Sequence, residues 1–127
     1  MSEENVVTYE LEGEIALVGL NRPDKRNCFN PDVMKALRAA IERAGEEAKC
    51  GIIFGHGDNF CAGLDLRKER DGNGLGAASS PTTINLRNTP PTVLQAMDKP
   101  TICAVNGGAA GYGMDTALGC DIRIMAE

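Results

Sequence analysis

An α/β domain with a largely parallel sheet is the architecture this chain predicts, and three observations predict it. Short β-prone runs alternate with helical periodicity in the order strand, helix, strand, helix, strand, helix, strand. The run Gly51-Ile52-Ile53-Phe54-Gly55 is apolar and bounded by glycines, as expected of a strand covered on both faces of a parallel sheet. Two glycine-rich segments, His56 to Gly63 and Asn106 to Gly113, follow buried strands, at the carboxyl ends where ligands of open α/β sheets usually sit.

The elements follow in order. Val6 to Leu11 and Glu14 to Leu20 are β-prone runs separated by Gly13, a hairpin that leads into the turn-like Asn21-Arg22-Pro23-Asp24. Asn30 followed by Pro31 is a cap residue before a first-turn proline, and Val33, Leu37, Ile41 and Ala44 recur every three or four positions up to Gly45. That is an amphipathic helix. After the strand at 51–55 and its loop, Leu64 to Arg70 has the composition of a short helix. Asp71 to Pro81 is rich in Gly, Ala and Ser and reads as a mobile surface loop. Within Thr83 to Met97 the pair Pro90-Pro91 sets the helix start, since proline is tolerated in the first turn only. Thr101 to Val105 reads as a strand, Met114 to Leu118 as a helix and Cys120 to Met125 as a last strand.

The chain has 127 residues, 43% hydrophobic and 24% charged, the balance of one ordinary globular domain over 1–127. No apolar run approaches the ~20 residues that cross a bilayer, and Met1-Ser2-Glu3-Glu4 lacks the features of a secretory signal, so a cytoplasmic address is expected. The net charge of −5, without clustered Lys or Arg, argues against nucleic acid or a membrane surface as partner and favours a small molecule. Five cysteines lie singly, without CxxC spacing and with only His56 to join them, so reduced, mostly buried thiols are expected and no metal site.

Gly55-His56-Gly57-Asp58-Asn59-Phe60-Cys61-Ala62-Gly63-Leu64-Asp65 has small residues that would let a ligand approach the backbone. A tight turn uses the same composition. In Asn106-Gly107-Gly108-Ala109-Ala110-Gly111-Tyr112-Gly113-Met114-Asp115 a helix begins, and its unpaired amides, helped by the dipole, suit a developing negative charge. Asp115 follows one turn later, either as an acid/base group or as a first-turn Asp favoured by the dipole. Lys25 and Arg26 by themselves read as a solvated basic turn. Neither GxGxxG nor the phosphate-loop lysine is present, which disfavours a nucleotide-binding module. His56 reads as a loop or surface residue, and Cys61, without a basic neighbour in sequence, as a small packing residue.

Three blocks carry a family resemblance: Ile15-Ala16-Leu17-Val18-Gly19-Leu20-Asn21-Arg22-Pro23-Asp24-Lys25-Arg26-Asn27, then Phe60-Cys61-Ala62-Gly63-Leu64-Asp65-Leu66, then Lys99-Pro100-Thr101 through Cys120-Asp121-Ile122-Arg123. In this order they resemble the amino-terminal half of the enoyl-CoA hydratase/isomerase, or crotonase, superfamily. The resemblance implies a crotonase-like (ClpP/crotonase) repeated ββα spiral core, incomplete at its carboxy-terminal end. It implies a site where an acyl-CoA thioester carbonyl accepts hydrogen bonds from two backbone amides, placed on Ala62 and Tyr112. Residues Ala62, Gly63, Leu64 and Asp65 would line the adenine and pantetheine path, Lys25 or Arg26 would meet the CoA phosphates, and Asp115 would be the acid/base residue.

The reaction implied first is enoyl-CoA hydration. Double-bond isomerisation, acyl-CoA hydrolysis, and a non-catalytic acyl-CoA binder or assembly partner are the alternatives. No cofactor is implied beyond the coenzyme A of the substrate, and the family's trimers or dimers of trimers imply a homo-oligomer. Tyr112 stands where many members have glycine, and Asp115 is one methylene shorter than their glutamate, where a displacement of ~1 Å can cost on the order of a hundredfold in rate. Members of the family are roughly twice this length, so the second catalytic glutamate and the closing helices are expected beyond Glu127. Exposed apolar surface, and association through it, is expected to follow.

Overall fold

The computed structural model describes residues 5–65 and 89–127. Its order is β1 (Val7–Glu12), β2 (Ile15–Leu20), α1 (Pro31–Glu47), β3 (Cys50–Gly55), β4 (Asn59–Cys61), α2 (Pro90–Ala96), β5 (Thr101–Val105), β6 (Gly108–Ala109), α3 (Tyr112–Gly119) and β7 (Ile122–Met125). The main sheet runs β1-β2-β3-β5-β7. The hairpin β1–β2 turns at Gly13, whose φ of +63° is readily adopted without a Cβ. From β2 onward the pairs are parallel, Leu17 opposite Ile52, Ile52 opposite Ile102 and Ile102 opposite Ile122.

Strand order therefore advances in one direction without reversing. A doubly wound sheet has a switch point; this one is a spiral in which strand pairs and helices recur, the ββα pattern the resemblance implies. The second member of each later strand pair is short. β4 and β6 pair in parallel as a separate two-stranded sheet, with Asn59 opposite Gly108 and Cys61 opposite Ala109. The glycine-rich segments read as loops thus each contain a strand, too short for a period-2 signal.

Helix α1 starts where the cap predicts: the Asn30 side chain accepts the Val33 N–H at 2.9 Å, with Pro31 in the first turn. It buries Val33, Leu37, Ala40, Ile41 and Ala44 on the sheet. The helix does not stop at Gly45 but continues through Glu47, where Glu47 accepts from the Arg43 side chain at 3.0 Å and from the Tyr9 hydroxyl at 3.1 Å. Gly45 faces Met97, and a side chain there would enter the seam between α1 and the segment after α2. Helix α2 begins at Pro90, as the prolines require. The short helix expected over 64–70 fails at its start, because Leu64 pairs with Phe29 as an isolated parallel bridge. The remainder of that expected helix, and the loop expected at 71–81, lie outside the described residues.

Val18, Leu20, Ile53, Cys103 and Val105 from the sheet meet Phe29, Val33, Leu37, Ile41, Leu94 and Ala117 in one core. Cys61, Cys103 and Cys120 are buried free thiols, while Cys28 and Cys50 are half-buried. Apolar exposure concentrates at the last helix and strand: Leu118 is 54% exposed, Ile122 52%, Ile124 64% and Met125 62%. Among the described residues no helix is long and apolar enough to cross a membrane.

Candidate active site

Both glycine-rich segments converge at β4, β6 and the start of α3. The contact is backbone against backbone, and missing Cβ atoms permit it. A Cβ on Gly63, whose φ is +102°, would lie 3.1 Å from the Ala110 oxygen and 3.7 Å from the Tyr112 nitrogen. A Cβ on Gly113 would overlap the Cys61 carbonyl, and one on Gly107 the Asp58 carbonyl. The Ala110 N–H donates to the Cys61 oxygen at 3.0 Å, which ties the second segment to the first.

Ala62 is exposed, but its N–H donates to the Arg26 carbonyl at 3.0 Å. The assignment of Ala62 as a carbonyl-polarising donor is therefore corrected: that amide already serves to bind the loop to the turn before α1. The neighbouring bonds show which amide is left. Phe29 donates to the Gly63 oxygen at 2.7 Å and accepts from the Asp65 N–H at 2.7 Å. In an extended segment successive amides point to opposite sides, so the Leu64 N–H points away from Phe29. Among the described residues no hydrogen bond engages it.

Tyr112 is the first residue of α3. Gly111 before it has φ +52° and ψ −124°, and no side chain caps the helix. The Gly113 N–H turns back to Ala110 at 2.9 Å and the Asp115 N–H to Gly111 at 3.1 Å, while the Tyr112 N–H has no hydrogen-bond partner among the described residues. Its side chain turns inward, the ring centroid 5.3 Å from that of Phe29. Burial, opposed by Thr89 and reinforced by Asp115, pushes the phenol above its ordinary value. Asp115 lies one turn on, with an exposed side chain.

The basic residues Lys25 and Arg26 are exposed at the end of the 3₁₀ turn Pro23–Lys25. Arg26, at φ +53°, brings this turn against the first glycine segment through its carbonyl. Asp65, expected along the CoA path, lies 3.6 Å from the Arg22 guanidinium, with both side chains largely covered. The Arg22 guanidinium also donates to the Cys28 oxygen at 3.0 Å. Sequence reasoning assigned no role to Arg22, Asn27 or Asn106, whose partners lie far along the chain. For Arg22 and Asn27 the local signal is the polar Asn21 to Asn27 stretch, and for Asn106 its place at the head of the second glycine-rich segment.

His56 stands apart from this site, with Nε2 2.9 Å from the Thr8 hydroxyl and its ring edge against Phe54. Cys61 is fully buried and its Sγ accepts the Gly63 N–H at 3.5 Å; burial pushes the thiol up to about 11, which suits packing rather than nucleophilic attack.

Comparison with known proteins identifies the family. Residues 10–127 match the family model for enoyl-CoA hydratase/isomerase. A Mycobacterium tuberculosis protein named Probable enoyl-CoA hydratase is 36% identical over 126 residues, which are 98% of this chain and 48% of that protein. The Short-chain-enoyl-CoA hydratase of Clostridium acetobutylicum is 34% identical, again over 98% of this chain and 48% of its own length. Among solved structures, a Pseudomonas aeruginosa protein superposes with a TM-score of 0.82 at 33% identity, over 99% of this chain and 55% of that one. An enoyl-CoA hydratase/isomerase from Mycobacterium paratuberculosis gives 0.77 at 31% identity, over 95% and 48%. The chain thus spans about half the length of these relatives. Over that span, on sequence and on fold, it belongs to the enoyl-CoA hydratase/isomerase family.

Proposed function

We propose that this chain carries the carbonyl-polarising half of an acyl-CoA enzyme, most simply an enoyl-CoA hydratase, with the N–H groups of Leu64 and Tyr112 as the donor pair. The observation that supports it most is the approach of Gly63 to Ala110 and Tyr112, which brings an amide beside an extended bridge and an amide at a helix start to one place. Among the described residues neither amide has a hydrogen-bond partner, and the dipole of α3 favours negative charge at Tyr112.

In the hydration step the Asp115 carboxylate takes a proton from water as the water oxygen bonds the β-carbon. The π electrons move onto the thioester oxygen, where the two N–H groups hold the charge, and the α-carbon then takes the proton back from Asp115 as the C=O re-forms, which restores the carboxylate. Removing one donor of such a pair costs about 3 kcal/mol of transition-state stabilisation. Lys25 and Arg26, exposed on the turn that Ala62 binds, would meet the CoA phosphates. Asp65 is held by Arg22, so among these residues Asp115 is the carboxylate proposed for proton transfer. Transfer by a single carboxylate also suits double-bond isomerisation.

The test is titration of the chain with a 2-enoyl-CoA and, separately, a 3-enoyl-CoA, with enone absorbance and calorimetric binding followed together. Asp115→Asn is expected to bind normally and to lose turnover by about a hundredfold or more. Unchanged turnover in that variant removes Asp115 from the reaction. Loss of binding to both ligands by the wild-type chain overturns the acyl-CoA reading.

A further inference from the structure

Asn27 is 1% exposed, one of the few polar residues in the core, and it has φ +56°, a left-handed conformation that asparagine tolerates better than most residues. Its side chain makes three hydrogen bonds. Nδ2 donates to the His56 oxygen at 2.9 Å and to the Asn59 oxygen at 2.9 Å, while Oδ1 accepts the Arg22 N–H at 2.8 Å. The Asn27 N–H closes the turn by donating to the Arg22 oxygen at 2.8 Å. Gly55 leaves the room this needs: a Cβ there would stand 2.8 Å from Asn27 Nδ2.

The residues on either side of Asn27 hold the rest of the same loop. Arg26 accepts the Ala62 N–H, and Phe29 bonds Gly63 and Asp65 on either side of Leu64. One stretch, Arg26 to Phe29, therefore grips the loop at five points from His56 to Asp65. Only the Asn27 contacts are made by a side chain. An amide is the group that fits, since it gives two donors and one acceptor on a short stem. A carboxylate would face two carbonyl oxygens with no proton to offer, in a place closed to water.

Resting on the donor pair proposed above, we infer that Asn27 is a positioning residue for the Leu64 N–H: its side-chain amide sets the register of the loop against the Arg26–Phe29 stretch and so fixes where that N–H points. It touches no reacting atom. Its effect is on the direction of a donor, so it should alter carbonyl polarisation more than affinity.

Two measurements on the chain test this. The first needs no ligand: amide hydrogen exchange, read by NMR as protection factors. In Asn27→Gly, which keeps the positive φ and removes the side chain, protection at Ala62 and Asp65 is expected to fall about tenfold or more, while Ile52 and Ile102 in the main sheet keep wild-type values. The second uses 4-(dimethylamino)cinnamoyl-CoA, a push–pull enoyl thioester whose absorbance moves to longer wavelength as its carbonyl accepts hydrogen bonds. The variant is expected to bind within about threefold of wild type and to lose most of that shift, because polarisation depends on donor geometry and affinity on the larger contact.

Wild-type protection together with a wild-type shift in Asn27→Gly overturns the inference. A wild-type chain that binds the probe without any shift defeats the donor-pair reading instead, and the exchange contrast still decides what Asn27 holds. Should Asn27→Gly not fold, Asn27→Asp replaces it. Its neutral acid regains one donor, so protection at Ala62 and Asp65 should rise as the pH is lowered, and protection that ignores pH counts against the inference.

Discussion

The segment after β3 and the segment after β5 have similar composition, each with glycines on both sides of a short strand, yet asparagine side chains help to hold the first and, among the described residues, only backbone holds the second. Asn27 fastens the carbonyls of His56 and Asn59, and Asn106 fastens Gly55 and Gly57 at 2.7 and 3.1 Å. Among the described residues no side chain hydrogen-bonds the backbone of residues 107–111. That segment is instead laid on the first, with Gly107 against the Asp58 carbonyl and Gly113 against Cys61. Asn106 even reaches back from the second segment to fasten the first. Glycine makes room for asparagine amides in one case and for another stretch of backbone in the other. The first segment is shaped by the chain before α1, and the second takes its shape from the first.

The substitution that tests this dependence most severely is Gly107→Ala. Its Cβ would occupy the position of the Asp58 carbonyl, which is backbone and cannot rotate aside, so a loss of about 3 kcal/mol or more is expected. Chemical denaturation would read it as a lowered midpoint with an unchanged slope. A loss under about 1 kcal/mol would show that the second segment can lift off the first cheaply, and the order of dependence argued above would fall.

Cys61 is where the two segments meet, its carbonyl taken by Ala110 and its thiol by Gly63, and it gives the next effect. Burial raises the folded thiol to about 11 from an ordinary 9.0. The unfolded chain ionises first, so the stability linked to this group is fully present below about pH 9 and is lost as pH rises through about 11. That rise corresponds to about 2 to 3 kcal/mol. The stability difference between wild type and Cys61→Ala should change by this amount across that window, while parallel curves would mean that water reaches the thiol.

What could be read ahead of the structure was whatever is decided locally. Thr101 to Val105 is a strand because it is a short β-branched run, α1 starts at Pro31 because Asn30 caps it, and α2 starts at Pro90 because proline cannot sit further in. The helix stop at Gly45 was misread, since propensity weighs less than the packing of Ala44 and Ala48 on Ala16. The pairing of β4 with β6 was invisible, being made between residues about fifty positions apart in stretches of two and three residues. Placing the first donor on Ala62 failed for a related reason. The loop supplies several amides, and which one stays free is settled by Arg26 and Phe29, which lie more than thirty residues earlier. Motif spacing locates the loop, but the direction of each N–H is a tertiary fact.

The smallest effect isolates conformation from clearance. Gly111 has open space where its Cβ would be, with nothing within 4 Å, but its φ of +52° with ψ −124° belongs to a region L-residues seldom occupy. Gly111→Ala should therefore cost about 1 to 2 kcal/mol from backbone strain alone. Its consequence is also different in kind. Gly107→Ala should separate the two segments, whereas Gly111→Ala should leave them together and rotate the peptide that carries the Tyr112 N–H. On the donor pair proposed here, the variant remains folded and binds an enoyl-CoA while the bound thioester carbonyl loses polarisation. If Gly111→Ala proves as destabilising as Gly107→Ala, the distinction between a glycine needed for room and a glycine needed for its dihedral angles does not hold in this pair of loops.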